Sequence, residues 1–188
     1  MKPRSFSQAI GFDDCPFPHK HRGDVRIVGA VYAGERLEGI LSGKVRRDGQ
    51  NSTAVIAQMV QQSKFNANLQ IVFLQGIALA GFNVVDIHAL AEILERPVLV
   101  VTRRMPNLEA IRKALLKVPG GKRKWALIEQ AGAPEKVAGV YVQRAGLCLE
   151  EAETAIRRFA LHSLIPEPLR TAHLIAGGIA TGQSRARP

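Results

Sequence analysis

Leu69-Gln70-Ile71-Val72-Phe73-Leu74, running into Gln75-Gly76, is the stretch whose reading decides the fold. So short and nearly continuous an apolar run reads as a strand buried on both faces, and such a strand belongs in the centre of a sheet covered by helices. Working upstream, Gln8–Phe12 is strand-compatible and ends in Asp13-Asp14-Cys15-Pro16, and the residues on to Asp24 read as a loop. Val25–Tyr32 and Arg36–Val45 read as two strands joined by a hairpin-length turn at Ala33–Glu35, which makes the first three strands an antiparallel meander. Asp48-Gly49 closes it in turn chemistry, and Asn51 or Ser52 can cap a helix running to about Ser63.

Downstream, Gly76 and Gly81 bracket a second apolar stretch, Asp86–Leu94 reads as a helix and Pro97–Thr102 as another buried strand. Pro106 suits the first turn of a helix over Asn107–Lys117, which Gly120-Gly121 ends. Lys124–Gln130 and Val137–Gln143 read as short strands, and Leu149–Leu161 and Leu169–Thr181 as helices. The expectation is one α/β domain over 1–188: a mixed sheet with antiparallel first three strands, parallel strands beyond them and helices on both faces, with a flexible tail from about 182.

Composition agrees: 46% hydrophobic and 22% charged residues are globular values that exclude wide disorder. The apolar runs are too interrupted to span a membrane and the first residues lack a signal-peptide core. Two isolated cysteines, Cys15 and Cys148, argue against a disulfide framework and fit a cytoplasmic protein. The formal charge is +10, and Arg96–Lys124 holds nine lysines and arginines against one acid, Glu109. If those side chains share a face, they would attract a phosphate backbone of DNA or RNA, with Arg103, Arg104, Lys122, Arg123 and Lys124 as contacts; a basic solvated surface is the plainer alternative.

Asp13 and Asp14 end the first strand. Adjacent strand residues face opposite ways, so at most one enters a given site unless the strand has broken, and paired carboxylates suit a hard cation, Mg²⁺ or Mn²⁺. The structural alternative is that one aspartate caps a turn and the other is solvated. Asp86, at a helix start, and Asp48, in an Asp-Gly turn, are the other acidic candidates. Gln75, Gly76, Gly81 and Asn83 follow a buried strand, where ligand sites of α/β sheets lie, without the spacing of a nucleotide fingerprint. His19 and His21, in the loop after the acidic pair, could reach a phosphate; solvated loop histidines are the commoner case. Cys15, beside two carboxylates and without a basic partner, is a poor nucleophile. One tryptophan and two tyrosines are few for an RNA-stacking module.

Gly11-Phe12-Asp13-Asp14, Asp48-Gly49 with Thr53, Leu74-Gln75-Gly76-Ile77 running into Gly81-Phe82-Asn83-Val84-Val85-Asp86, Pro97-Val98, and the closing Pro166-Glu167-Pro168-Leu169-Arg170 with Ala172-His173 carry a resemblance over nearly the whole chain. Together they resemble the mostly archaeal family once known as DUF99 or UPF0215 and now called endonuclease dU. The resemblance implies a DNA-repair endonuclease acting at deoxyuridine, and a ribonuclease-H-like fold similar to endonuclease V, which uses clustered carboxylates and Mg²⁺. On that likeness Asp13 matches the carboxylate ending the first strand, with Asp14 beside it. The position of a second carboxylate, before a glycine at the end of the central strand, is Gln75 here. An amide offers no charge to a cation, so Asp86 or Asp48 would supply it, or the site would bind nucleic acid without cutting. The expected metal ligands are Asp13 and Asp86.

Overall fold

The computed structural model describes residues 4–184. β1 (Gln8–Asp14), β2 (Asp24–Ala33) and β3 (Arg36–Arg46) form the expected meander, each paired antiparallel with the next. After α1 (Ser52–Gln61) comes β4 (Ile71–Gln75), the strand of the opening stretch, parallel to β1. A two-stranded hairpin, β5 (Ala78–Leu79) and β6 (Asn83–Val84), leads into α2 (Ile87–Leu94) and β7 (Val98–Thr102), which lies parallel to β4. Then follow α3 (Leu108–Leu115), α4 (Gly121–Gln130), β8 (Glu135–Val137), β9 (Val140–Ala145), α5 (Leu149–Phe159) and α6 (Glu167–Thr181). The main sheet has seven strands in the order β3-β2-β1-β4-β7-β9-β8. It is the mixed sheet anticipated, with parallel strands at its centre, but beyond them β9 pairs antiparallel with β7 and β8 antiparallel with β9, where parallel strands were expected.

Strand alternation sorts the core into two faces. Ala9, Ile71, Phe73, Leu99 and Val101 point to α5 and α6, while Ile10, Phe12, Val72, Leu74, Val98 and Val100 point to α1 and α2. Ile71 to Leu74 are wholly buried, as a strand sandwiched between helical layers must be. α3 and α4 pack in a smaller cluster over the β5–β6 hairpin, through Leu115, Ile128 and Val84.

Three further expectations are corrected. The segment expected as a strand over Lys124–Gln130 is the helix α4, entered after a left-handed Gly120. Its buried positions, Lys124 and Ile128, are four apart, so one helical face is covered although the run Trp125-Ala126-Leu127-Ile128 also reads as strand. The single strand expected over Val137–Gln143 is a hairpin: Ala138 and Gly139 both have positive φ, 47° and 83°, which suits a tight two-residue turn between β8 and β9. Asn51 occupies the N-cap position of α1, but its side chain accepts from Arg46 N and Asn83 Nδ2 rather than capping the helix. Of the expected tail, Gly182 is the left-handed C-cap of α6 and Ser184 Oγ donates to Leu174 O, while 185–188 lie outside the described residues.

Candidate active site

The parallel strands β1, β4 and β7 end along one edge of the sheet. The register that sets Phe12 beside Leu74, and Gln75 beside Val101, carries on to bring Asp13 alongside Gln75. Alternation then aims both side chains at the α6 face, the face of Phe73 and Val101. Asp13 is only 5% exposed. Its Oδ2 lies 2.8 Å from His173 Nδ1, and its Oδ1 accepts from Asp14 N at 2.9 Å. Gln75 Oε1 is buried and has no hydrogen-bond partner among the described residues, an oxygen acceptor left open at the same strand end. His173 reaches this edge because α6 lies against β1 and β2. Buried Leu169, Ala172 and Ala176 repeat at helical spacing, and His173, next to Ala172 and four after Leu169, falls at the border of that stripe. That periodicity was the available signal for a residue that sequence reasoning placed in the resemblance but not in the site.

Asp14 faces the other way, as alternation demands. Its Oδ2 accepts from Ala80 N at 3.1 Å, and Ala80 O accepts from Asp48 N at 2.9 Å, so one peptide residue of the hairpin turn links the two aspartates. Asp48 Oδ1 accepts from Phe82 N at 2.8 Å, its Oδ2 lies 3.2 Å from Arg47 Nε, and its carbonyl accepts from Lys124 Nζ. At Gly81, a Cβ would stand 2.5 Å from Asp48 Oδ1, so only glycine allows this approach. Burial, and next the charge of Asp13, push the Asp14 carboxyl up to about 6; the Ala80 N–H and His173 oppose the shift.

That shift has a sign for stability. The folded state binds the Asp14 proton more tightly than the unfolded chain, so the stability contributed by this group is full below the unfolded value of 3.8 and is lost as pH rises through about 6. Above that window the ionised group costs the fold about 2–3 kcal/mol. Asp14→Asn, which keeps an acceptor for Ala80 N, is expected to unfold at a higher denaturant concentration than the parent at pH 7.5 and to match it near pH 3.5. Equal midpoints at both pH values would contradict this account.

Asp86 is the N-cap of α2: its Oδ1 accepts from Ala89 N at 2.9 Å and its backbone N donates to Thr53 Oγ1. Among the described residues, no group of three or more His, Cys, Asp or Glu side chains comes together in a metal-holding arrangement. The structure therefore pairs Asp13 with Gln75 and His173 on one face and Asp14 with Asp48 on the other, and gives Asp86 a separate place. Asn83 is fully buried in a clamp: Oδ1 accepts from Ser52 N, and Nδ2 donates to Arg46 O and Asn51 Oδ1. Gly76, with φ of 78°, has open space where a Cβ would stand.

The basic stretch does not share one face. Arg96 ties the start of β7 to the chain before β4 through Leu69 O and Asn66, whereas Arg103 and Arg104 follow the opposite end of β7. Lys124 is 2% exposed, Arg123 Nη1 donates to Gln50 Oε1 at 2.7 Å, and exposed Lys113 pairs with Glu109. A different basic concavity, of about 820 Å³, opens beyond the acidic strand end between the loop His19–Gly23 and Arg46–Asp48. Arg47 Nη1 donates to the carbonyls of His19 and His21, and its guanidinium lies 5.5 Å from the Phe17 ring, so it staples that loop in place. Lys20, Arg22 and Arg46 stand exposed around it. Cys15 is buried, and burial first, with the charges of Asp14 and Asp13, pushes its thiol up as expected in direction, while Arg26, a basic neighbour that the sequence reading lacked, opposes the shift. No helix among the described residues is long and apolar enough to cross a membrane.

The family described as endonuclease dU matches residues 5–180. A UPF0215 protein of Deinococcus radiodurans is 61% identical over 186 residues, covering 97% of this chain and 95% of that one. The crystal structure of a protein of unknown function from Archaeoglobus fulgidus superposes with a TM-score of 0.87 at 34% identity, covering 93% of this chain and 99% of that one. The fold is also that of endonuclease V: the Ciona intestinalis enzyme, solved with a 24mer DNA containing an inosine followed by a ribo-adenosine, gives a TM-score of 0.55 at 13% identity over 89% of this chain and 82% of that one. The ribonuclease-H-like architecture expected from the sequence is the one observed.

Proposed function

This chain belongs to the endonuclease dU family, and from that premise we propose that it hydrolyses phosphodiester bonds at or near deoxyuridine in DNA with the help of a divalent cation. The observation that carries the reading is the pair at the strand ends: the buried Asp13 and, one register step past Leu74 on the neighbouring strand, Gln75, whose buried Oε1 has no hydrogen-bond partner among the described residues. Both are hard oxygen donors, so the residues present fit Mg²⁺ or Mn²⁺, and Asp13 and Gln75 would hold it. A cation bound there supplies Lewis-acid polarisation of a phosphoryl oxygen. The aspartates of the other face, and Asp86 at its cap, stand apart from that pair.

The chain's own groups do the rest. With Asp13 ionised, His173 Nδ1 is the donor of their 2.8 Å hydrogen bond, which fixes the carboxylate's orientation. Asp13 Oδ1, held by Asp14 N, is kept from rotating away. Arg103 and Arg104, just past the end of β7, stand at the same edge of the sheet, and Arg103 Nε is buried without a hydrogen-bond partner among the described residues. Lys20, Arg22 and Arg46, with His19 and His21, line the basic concavity on the Asp14 side. A phosphate backbone meets cations on both flanks of the acidic strand end, while Lys122 and Arg123 on α4 extend the reach. That endonuclease V of Ciona was solved on DNA supports a nucleic-acid partner.

A second reading, binding without cleavage, is favoured by the uncharged Gln75 and the lack of a three-ligand cluster among the described residues. One experiment separates the two: labelled duplexes with uracil or cytosine at one position, and the matching RNA, incubated with the protein in Mg²⁺ or in EDTA. The proposal expects nicking of the uracil duplex in Mg²⁺ alone. Salt-sensitive binding of the nucleic acids, indifferent to Mg²⁺ and without strand scission, would replace it by the binding reading.

A further inference from the structure

A cavity of about 230 Å³ lies between α1, α2 and α4, apart from the Asp13–Gln75 pair. Ala54, Val84, Ile93 and Leu127 give it apolar walls, and Ile93 among them is an exposed large apolar side chain. Three charged residues line it, Asp86, Arg123 and Lys124, and the ammonium of Lys124 is engaged by Asp48 O. Asp86 is held rigidly, because Oδ1 accepts from Ala89 N and the backbone N donates to Thr53, while Oδ2 makes no hydrogen bond among the described residues. Arg123 is steadied by its 2.7 Å bond to Gln50, with the remaining guanidinium N–H groups to spare. Gly49, next to Asp48, lines the same cavity, so it adjoins the aspartate linked through Ala80 to the end of β1.

The size falls below the roughly 300–1,000 Å³ of drug-sized clefts and suits one planar heterocycle rather than a nucleotide. Apolar walls take the faces of such a ring. A fixed carboxylate oxygen requires an N–H on its edge, and an arginine beside it requires a carbonyl. We infer that this cavity is a specificity pocket for an extruded base that carries a ring N–H next to a carbonyl, the edge that deamination creates. Uracil at N3 and hypoxanthine at N1 present that donor; cytosine and adenine present a lone pair at the same place, which the carboxylate repels. Thymine shares the edge of uracil, so Asp86 does not reject it. Its firm pairing with adenine makes extrusion costlier than that of a uracil mispaired with guanine.

The inference rests on the nuclease reading for its biological setting, and its test does not depend on cleavage. Titration of the protein with deoxyuridine, deoxyinosine and deoxycytidine in EDTA, followed by calorimetry or by amide shifts, should give binding of the first two, with deoxycytidine about tenfold or more weaker. Asp86→Asn keeps a good N-cap for α2 and replaces the open acceptor, so it should cost deoxyuridine about 10- to 150-fold in affinity with an unchanged melting temperature. Ala54→Leu, at an exposed position on α1, should block the cavity and abolish binding of both nucleosides. An Asp86→Asn protein that binds deoxyuridine as the parent does, or a parent that prefers deoxycytidine or binds none of the three, overturns the pocket. Nicking without nucleoside selectivity would remove the pocket and leave the nuclease; selective binding without nicking would do the reverse.

Discussion

Asp13→Asn is expected to reduce Mg²⁺-dependent nicking of uracil-containing duplex by about three orders of magnitude, the loss of several kcal/mol of transition-state stabilisation. The carboxylate is buried beside Gln75, which brings no charge of its own, so removing Asp13 leaves the strand-end pair with neutral oxygens only. A carbonyl oxygen can still accept from Asp14 N, so the turn after the strand survives the change. The amide nitrogen or oxygen then meets His173 Nδ1 without a charge to orient. The measurement is single-turnover cleavage at saturating protein, with a thermal melt of both proteins as the control for folding. A variant that melts with the parent and cuts with it as well shows that the chemistry lies elsewhere, and Asp14 with Asp48 would be the next pair to examine.

The sheet was legible because each of its central strands carries one unambiguous signal. Leu69–Leu74 is apolar on both faces, which only an interior strand between helical layers explains, and Val98–Thr102 repeats the pattern. The meander announced itself through the hairpin-length turn between β2 and β3, and α2 through an aspartate that caps it. α4 was misread for a physical reason. Four consecutive apolar or aromatic residues fit either period, and the arbiter is Lys124, whose stem is buried while its ammonium reaches Asp48 O. Burial of a lysine four residues before Ile128 is a tertiary fact that no local pattern displays.

The site was legible by halves. The acidic strand end stands out because two charges interrupt a buried run, yet their partners lie far away in sequence: His173 is 160 residues from Asp13, and Ala80 is 66 from Asp14. Charge counting overstated Arg96–Lys124, since a run of basic residues becomes one field only if its elements present one side. Strand β7 separates Arg96 from Arg103 by its whole length, and helix α4 turns Lys124 inwards. The basic concavity, by contrast, is assembled from a loop and the end of β3, each contributing few charges, and only the fold sums them.

Gly11→Ala should unsettle both the fold and the site, because Gly11 is where β1 touches the first turn of α6. A Cβ there would lie 2.5 Å from the carbonyl carbon of Pro168, 2.6 Å from Leu169 N and 2.8 Å from Pro168 O. Carbon atoms in contact prefer about 3.5–4.0 Å, and these are backbone atoms at a proline, with no rotamer to yield. α6 must therefore move outwards by about an ångström, at a cost of about 1–3 kcal/mol for an overpacked core. Leu169, Ala172 and the Tyr32–Thr171 hydrogen bond, 2.8 Å long, would shift with it. So would His173, while Asp13 stays on β1. A misplacement of that size between positioned groups costs about 100-fold in rate, so cleavage should fall much further than the melting temperature does. Gly178→Ala on the same helix is the counterpart: among the described residues its Cβ would meet Ser184 Oγ at 3.8 Å, an ordinary contact, and replacing a mid-helix glycine there should stabilise by about 0.5–1 kcal/mol. If Gly11→Ala melts and cuts like the parent while Gly178→Ala behaves as expected, α6 is not seated through Gly11, and the alignment of His173 with Asp13 has another origin.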